Sequence, residues 1–325
     1  MKKMHTLQET IEKIKTGEKL VIAGVEELLK QLPTGNWIGG TIPYFMGDEG
    51  GVYSTELLLI EKLPDYVENI LIKQYTDKTI SSFAKDEFTN GFSVILIPAF
   101  SKIHEEYAKN SNNYQNIFDI PIIGWITGVP LDLIGKQSPK IFNGTNSEFS
   151  DCEAVVMHVE LPSTKYAVID IVNVFKQDEG DVITFSESGF SATECNVNGK
   201  MTNFAKYLKD NQIDTKLPLV ANYYETMINV SFQSVSEDKV TFYAPVFKDV
   251  EYKIAAPVAN CVNSFASIVE AVDIKPDFSC NCILNFLYAE LEGKKTADIT
   301  GAITFGEIAY LLLNQTMVYL SIREH

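Results

Sequence analysis

The sequence has few positive charges and no long apolar run. Its 325 residues include 27 basic and 43 acidic side chains, which gives a formal net charge of −16. A surface this negative repels nucleic acid and anionic membranes, and no cluster of Lys and Arg offsets it locally. The apolar runs have the length of strands and fall far below the roughly 20 residues that a membrane-spanning helix needs. The sequence therefore predicts a protein that binds neither nucleic acid nor membrane.

Cysteine is also scarce, and its count is odd. A scattered set of five thiols suits reduced cysteines in the cytoplasm better than a framework of disulfide bonds. The N-terminal residues include lysines but no apolar segment of signal-peptide length. We therefore expect a cytoplasmic protein with free thiols at Cys152, Cys195, Cys261, Cys280 and Cys282.

The motifs that usually carry metal, phosphate or nucleophile chemistry are absent. The sequence has no H-E-x-x-H, paired C-x-x-C, Walker, G-x-S-x-G or S-x-x-K motif, so we expect no metal and no cofactor. Cys280 and Cys282 form a C-x-C pattern, which places both thiols on the same face of a strand. Such a pair is more commonly a pair of small buried core residues than a metal site.

Short strands interleaved with helices predict an α+β protein with mainly antiparallel sheets, flanking helices and two related lobes. We place the boundary in the polar segment QIDTKLP, so that the lobes cover residues 1–212 and 213–325. A glycine-containing apolar strand followed by a polar turn occurs near residues 38–52 and again near 301–307. Two related lobes would produce such an echo.

Three local patterns make sharper predictions. Thr6 and Glu9 have the spacing of a capping box at the start of a helix that Gly17 would end. The consecutive apolar residues of 92–100 predict a strand that is buried on both faces. The apolar spacing over 262–272 predicts another helix.

Two consecutive glycines, Gly39 and Gly40, interrupt a predicted strand just before Thr41. Glycines weaken a strand unless a bulge is needed or another group approaches the backbone closely. One interpretation is a tight crossing of strands packed with aromatic side chains. The other is the wall of a pocket, where bare backbone groups meet a ligand.

A lone carboxylate, Glu307, follows Gly306 inside the almost uncharged stretch 299–322. A buried carboxylate is costly unless it is paired or neutralised. Asn314, Gln315 and Thr316 supply donors nearby in sequence, so Glu307 could pin a hairpin by accepting their hydrogen bonds. Alternatively, it faces a cavity and binds the ammonium or amide group of a ligand.

The C-terminal stretch resembles the end of the C-terminal domain of the FIST family (F-box and intracellular signal transduction proteins). The resemblance covers residues 278–320, and the IGGT of 38–41 is similar to a strand of the FIST N-terminal domain. The family usually has an arginine shortly after its cysteine, and this sequence has none there. The matching residues are Cys280 or Cys282, Gly301, Thr304, Gly306, Glu307, Ile308, Asn314, Gln315 and Thr316.

The resemblance implies FIST N-like and C-like lobes and a non-catalytic sensory module that binds a small polar molecule, such as an amino acid. No kinase, cyclase or receiver sequence is attached, so the signal would pass to a separate partner protein. Two alternatives stay open: a cysteine-dependent hydrolase or transferase that uses Cys280 or Cys282, and a scaffold without a ligand. The expected ligand-binding residues are Gly39, Gly40, Thr41, Cys280, Thr304, Gly306, Glu307, Asn314 and Thr316.

Overall fold

The α+β class is confirmed by a computed structural model, in which the described residues form five mostly antiparallel sheets. The helix predicted over 262–272 falls largely outside the described residues. The ranges described are 3–223, 226–258, 263–264, 267–268, 276–296 and 299–325.

Sheet 1 is built mainly from the N-terminal segment of the chain. Helix α1 (Leu7–Lys15) packs beside it and begins with the predicted capping box, because Thr6 and Glu9 bond reciprocally. The short helix α2 (Glu26–Leu29) follows the second strand. In spatial order the strands are β1 (Met4–His5), β6 (Leu58–Lys62), β2 (Leu20–Gly24), β3 (Trp37–Thr41), β10 (Ile141–Asn143) and β11 (Glu148–Ser150).

Sheet 2 contains the strand that was predicted to be buried on both faces, and every residue of that strand, β8, is buried. Helix α3 (Lys102–Asn110) connects β8 to its parallel neighbour β9. Short 3₁₀ helices cover Ile80–Asp86, Ser111–Asn113 and Leu131–Leu133. In spatial order the strands are β26 (Leu311–Leu313), β25 (Glu307–Ala309), β9 (Ile122–Thr127), β8 (Gly91–Pro98), β12 (Ala154–Glu160) and β7 (Ile70–Tyr75).

Sheet 3 combines strands from both ends of the chain. Helix α5 (Ile283–Tyr288) follows β23 and leads towards its parallel neighbour β24. In spatial order the strands are β13 (Lys165–Val172), β27 (Met317–Glu324), β23 (Phe278–Cys282), β24 (Gly301–Thr304), β4 (Tyr44–Gly47) and β5 (Gly50–Tyr53).

Between β13 and β23 the chain leaves sheet 3 and builds an insertion with an aromatic-rich core of its own. The insertion holds α4 (Phe204–Asp210). In spatial order, the strands of sheet 4 are β17 (Lys200–Asn203), β16 (Glu194–Val197), β14 (Ile183–Thr184), β22 (Tyr252–Ile254), β18 (Leu219–Tyr223) and β19 (Thr226–Val230). The strands of sheet 5 are β15 (Gly189–Ala192), β21 (Val240–Val246) and β20 (Phe232–Val235).

The same strand order occurs in sheets 1, 2 and 3. Each has two antiparallel strands, then a parallel pair, then a hairpin at the edge. In each sheet, this hairpin comes from the chain segment that follows the parallel pair of a different sheet. Thus β4–β5 completes sheet 3, β10–β11 completes sheet 1, and β25–β26 completes sheet 2. The sequence predicted two related lobes, whereas the sheet topology repeats three times.

The three repeats align residue by residue at their parallel pairs. Thr41, Thr127 and Thr304 are each buried at the last position of the second parallel strand. The echo near residues 38–52 and 301–307 therefore lies on equivalent strands of sheets 1 and 3. The third equivalent strand is β9.

The inner faces of sheets 1 to 3 share one hydrophobic core. Alternate residues of β2 and β8 point into this core, and the residues between them pack beneath helices on the outer faces. Trp125 of sheet 2 stacks on Phe278 of sheet 3, with 5.8 Å between the ring centroids. Its indole also lies against Gly40 of sheet 1. Trp125 thus contacts both neighbouring sheets.

The predicted division between residues 212 and 213 is not a boundary between sheets. Sheets 2 and 3 each contain strands from both sides of it. The physical reason is the exchange of hairpins, which pairs β4 with β24 and β9 with β25. The assignment of the two segments to FIST-like lobes stays a prediction.

We expect Gly40→Ala to lower the free energy of unfolding by about 1–3 kcal/mol, the usual cost of overpacking a core. A Cβ atom on Gly40 would lie 2.6 Å from Thr127 Cγ2 and 3.1 Å from Trp125 Nε1. Both neighbours belong to sheet 2 and are fully buried. Chemical denaturation of the variant measures the change.

The matched control is Gly180→Ala. A Cβ atom on Gly180 meets nothing within 4 Å, so we expect a change within about 0.5 kcal/mol. Equal stability of the two variants would contradict the close packing of sheets 1 and 2 at Gly40.

Candidate functional site

A cavity of about 500 Å³ lies at the carboxyl ends of β8 and β23. The junction of β8 with α3 supplies Phe100 and His104, and the first turn of α5 supplies Leu284. Phe305, which directly follows β24, also lines it. Ligand sites of α/β proteins lie preferentially at such carboxyl ends, so this cavity is the candidate functional site.

The insertion also contributes to the wall of the cavity. Phe190 of sheet 5 lies beside the start of α3, with its ring centroid 5.9 Å from that of His104. Phe242 and Tyr243 of β21 also line the cavity. Core and insertion therefore both contribute to the walls.

The backbone bends sharply where β8 joins α3. Phe100 has a φ of 63°, a left-handed conformation that is costly for a residue with a side chain. Ser101 caps the helix, because its Oγ accepts a hydrogen bond from His104 N at 3.2 Å. The bend places the Phe100 ring 6.2 Å from that of Phe305 at the cavity wall. Gly128 leaves room for Phe305, since a Cβ atom there would lie 2.5 Å from its ring.

His104 is the buried polar side chain of this wall. Its Nδ1 accepts a hydrogen bond from Phe100 N at 3.3 Å, so the ring hydrogen lies on Nε2. Nε2 is buried and has no hydrogen-bond partner among the described residues. Burial lowers the pKa of His104 to about 4, which leaves the imidazole uncharged at neutral pH.

Next to the cavity lies a buried polar cluster centred on Glu307. Its Oε2 accepts hydrogen bonds from Thr316 Oγ1 at 2.7 Å and from Thr316 N at 3.3 Å. Oε1 has no hydrogen-bond partner in the part of the chain that the structure describes. Burial raises the pKa of Glu307 to about 8, although the hydrogen bonds from Thr316 oppose the shift. These contacts correspond to the hairpin-pinning interpretation.

No hydrogen bond joins Asn314 to Glu307 among the described residues, in contrast to the expectation from sequence. Its Oδ1 accepts hydrogen bonds from Ser231 Oγ at 2.7 Å and Ser231 N at 3.1 Å, and Ser231 belongs to the insertion. The intervening Gln315 has a φ of 50°, so the chain turns sharply between Asn314 and Thr316. The turn at residues 314–316 therefore bonds to Glu307 through Thr316 and to the insertion through Asn314.

Thr304 and Gly306 hold the backbone around Glu307. Thr304 Oγ1 donates to Asn281 O at 3.3 Å or to Gly306 O at 3.1 Å. Gly306 O in turn accepts a hydrogen bond from Ile126 N at 2.8 Å. The side chain between them, Phe305, reaches the cavity.

Cys280 and Cys282 lie on one strand and are both buried. Burial, with Glu307 nearby, raises the pKa of each thiol well above its usual value. Cys280 donates a hydrogen bond to Gly124 O at 3.3 Å. It also lines a small void of sheet 3 with Asn281, a different space from the 500 Å³ cavity.

Gly39, Gly40 and Thr41 are packed against protein atoms. Gly40 faces sheet 2, and Gly39 lies under the indole of Trp37. Thr41 Oγ1 accepts a hydrogen bond from Lys140 N at 2.9 Å. These surroundings match the packing interpretation of the double glycine.

The nine residues expected from sequence to bind a ligand do not line the 500 Å³ cavity. Six of them, together with Cys282, lie in the segments beside it, and the three from sheet 1 lie elsewhere. A ligand contact by any of them stays a prediction. The cavity residues that follow β8 and those of α3 and the insertion were missed, although the Ser101 cap directly after a buried strand was a usable signal.

The described residues contain no group of three or more His, Cys, Asp or Glu side chains arranged to hold a metal ion. None of the described helices combines the length and the apolar character that crossing a membrane requires.

The sequence matches DUF6976, a family of unknown function, over residues 5–323. The chain belongs to this family. No curated protein matches it. The family description carries no activity, so the resemblance to FIST stays a prediction.

The pKa of Glu307 predicts a pH dependence of stability. An unfolded glutamate titrates near 4.5, whereas folded Glu307 titrates near 8. Between about pH 5 and pH 8 the folded state holds one more proton, so the Glu307 contribution to stability falls as the pH rises. Gln does not titrate. We therefore expect the free energy of unfolding of Glu307→Gln to fall less steeply with pH than that of the wild type, by about 1 kcal/mol per pH unit.

Chemical denaturation at several pH values measures this slope. Glu61 and Glu87, whose pKa values burial raises to about 7 and about 8, are present in both proteins and cancel in the comparison. Glu307→Ala should cost about 1–3 kcal/mol, because it leaves the Thr316 donors unmet. Parallel stability curves for wild type and Glu307→Gln would contradict the assigned protonation.

Thiol alkylation provides a test of the cysteines. Cys261 lies outside the described residues. Of the other cysteines, Cys152 is exposed, whereas Cys195, Cys280 and Cys282 are buried. Since the thiolate is the reactive form, we expect iodoacetamide to modify Cys152 in the native protein and the other three only after denaturation. Mass spectrometry of the peptides gives each rate. Rapid native labelling of Cys280 or Cys282 would instead favour the cysteine-dependent enzyme.

Proposed function

We propose that this protein is a non-catalytic cytoplasmic sensory module, which binds a small molecule in the 500 Å³ cavity and reports it to a separate partner protein. The observation that carries the proposal is the cavity itself. Its volume is within the usual range for small-molecule sites, and its position at the ends of parallel strands is a common one.

The composition of the cavity wall supports binding of a largely apolar ligand. Aromatic and aliphatic side chains dominate the wall, among them Phe100, Phe242, Leu284 and Phe305. A small number of polar groups, including His104, remains to orient a ligand. This mixture is typical of small-molecule sites. The ligand site we propose is this cavity rather than the nine residues expected from sequence.

A sensory role is supported by the two-sided construction of the cavity. The core supplies one side, and Phe190, Phe242 and Tyr243 of the insertion supply the other. A ligand that contacts both sides favours the position of the insertion in which both contacts are made. Such a preference for one conformation is what a conformational signal requires. The turn at Asn314 fastens the insertion close to the same site.

The FIST-like assignment is retained as part of the proposal. The residues that carry the resemblance form the polar cluster of Glu307, Thr304 and Thr316 beside the cavity. In this proposal they support the floor formed by Phe305 and leave ligand contact to the cavity wall. The cysteine-dependent alternative has less support, because burial keeps the pKa of the Cys282 thiol high.

The test is binding of an uncharged fluorescent probe, N-phenyl-1-naphthylamine. We expect its fluorescence to rise on binding to the wild-type protein, since the cavity is apolar. Leu287 lines the cavity and is 41% exposed, so Leu287→Trp narrows the cavity without disturbing the core. We expect this variant to bind the probe about tenfold more weakly, equivalent to about 1.4 kcal/mol.

The matched control is Met201→Trp. Met201 is 54% exposed and does not line the cavity. We expect this variant to bind the probe as the wild type does. Absence of probe binding to the wild type, or equal weakening in the two variants, would overturn the proposal.

A further inference from the structure

We infer that the cavity takes an uncharged molecule with an apolar body and an oxygen atom that accepts a hydrogen bond from His104 Nε2. The inference rests on the proposed binding function and names the chemical class of the ligand. It depends on the unpartnered donor of His104, on the charges around the cavity and on the aromatic lining.

The donor is identified by the hydrogen bond on the other side of the ring. Because Phe100 N donates to Nδ1 at 3.3 Å, Nδ1 acts as an acceptor and Nε2 carries the hydrogen. His104 is only 9% exposed, and Nε2 has no partner among the described residues. A buried donor without a partner is costly, and a ligand oxygen would remove this cost.

His104 is at the cavity wall, but Nε2 itself exposes almost no surface, so a ligand reaches this donor by displacing a neighbouring side chain of the wall. His104 lines the cavity together with Phe190, whose ring packs edge-on against the imidazole. An oxygen that reaches Nε2 therefore lies beside the Phe190 ring, and the rest of the ligand extends along Phe100 and Phe305.

The charges around the cavity favour an uncharged ligand. None of the described residues that line it is Lys or Arg. The lining includes the carboxylate of Glu105, which forms an ion pair with Lys109 at 2.5 Å. The His104 imidazole is itself neutral at neutral pH, because burial lowers its pKa. Lys109, 6.0 Å from the centroid of the Phe190 ring, is already paired with Glu105. An anion would therefore lose its hydration here without an unpaired cation at the wall, and such burial is costly.

A cation is disfavoured for a different reason. The single carboxylate at the wall, Glu105, is already paired with Lys109 and is 57% exposed at its side chain. A hydrogen-bond donor such as an ammonium group would also meet the Nε2–H donor of His104. The cavity thus differs from the ammonium site that the sequence suggested for Glu307.

A series of probes with one naphthalene body tests the inference on the wild-type protein. The members are 2-naphthamide, 2-naphthoate, 2-naphthylmethylammonium and 2-ethylnaphthalene, each competing with N-phenyl-1-naphthylamine. We expect 2-naphthamide to bind about fivefold to tenfold more tightly than 2-ethylnaphthalene, which corresponds to one hydrogen bond. The two charged members should bind more weakly than 2-naphthamide.

The variant His104→Phe retains an aromatic ring and removes the donor. We expect it to lose the preference for 2-naphthamide over 2-ethylnaphthalene, measured as the ratio of the two dissociation constants in the variant itself. The wild-type series does not depend on the variant, so a folding defect in His104→Phe leaves the test intact.

The outcomes separate the inference from the function on which it rests. Tighter binding of 2-naphthoate or 2-naphthylmethylammonium than of 2-naphthamide would overturn the inference while probe binding upheld the cavity as a ligand site. Equal binding of 2-naphthamide and 2-ethylnaphthalene would overturn the role of His104. Failure of the fluorescent probe to bind the wild type would overturn the proposed function itself.

Discussion

The exchange of hairpins among three sheets is the constraint on which the rest of the structure depends. None of sheets 1 to 3 is complete without a hairpin that follows the parallel pair of another sheet. A strand edge exposes unpaired backbone groups until a partner covers it. The three sheets therefore stabilise one another, and their inner faces meet in one core around Trp125.

The repeats are not identical, and the difference lies beside the candidate site. Glu307 of sheet 2 occupies the hairpin position that phenylalanine occupies in the other sheets, Phe45 in sheet 3 and Phe142 in sheet 1. A carboxyl group replaces an aromatic ring there, and the hydroxyl group of Thr316 donates a hydrogen bond to it. The same segment supplies Phe305 to the cavity, so the departure from the repeat coincides with the proposed function.

Sequence patterns predicted the features that depend on local interactions. The capping box at Thr6, the doubly buried strand β8 and the α+β class follow from spacing and composition alone. The echo near residues 38–52 and 301–307 located two of three equivalent strands. The hairpin exchange and the cavity depend on pairing between distant segments, which sequence patterns do not reveal. For Glu307 the sequence predicted burial and donors from residues 314–316; Thr316 does donate to it, whereas Asn314 bonds to Ser231 of the insertion.

The pairing of β4 with β24 has a consequence for synthesis of the chain. Met46 lies opposite Gly301, so this early hairpin finds its partner only after about 250 further residues have been synthesised. Folding that depends on such distant contacts is slow, and unpaired edges invite aggregation in the meantime. During translation the apolar face of β4–β5, which includes Phe45, therefore lacks the core of sheet 3 on which it packs in the folded protein.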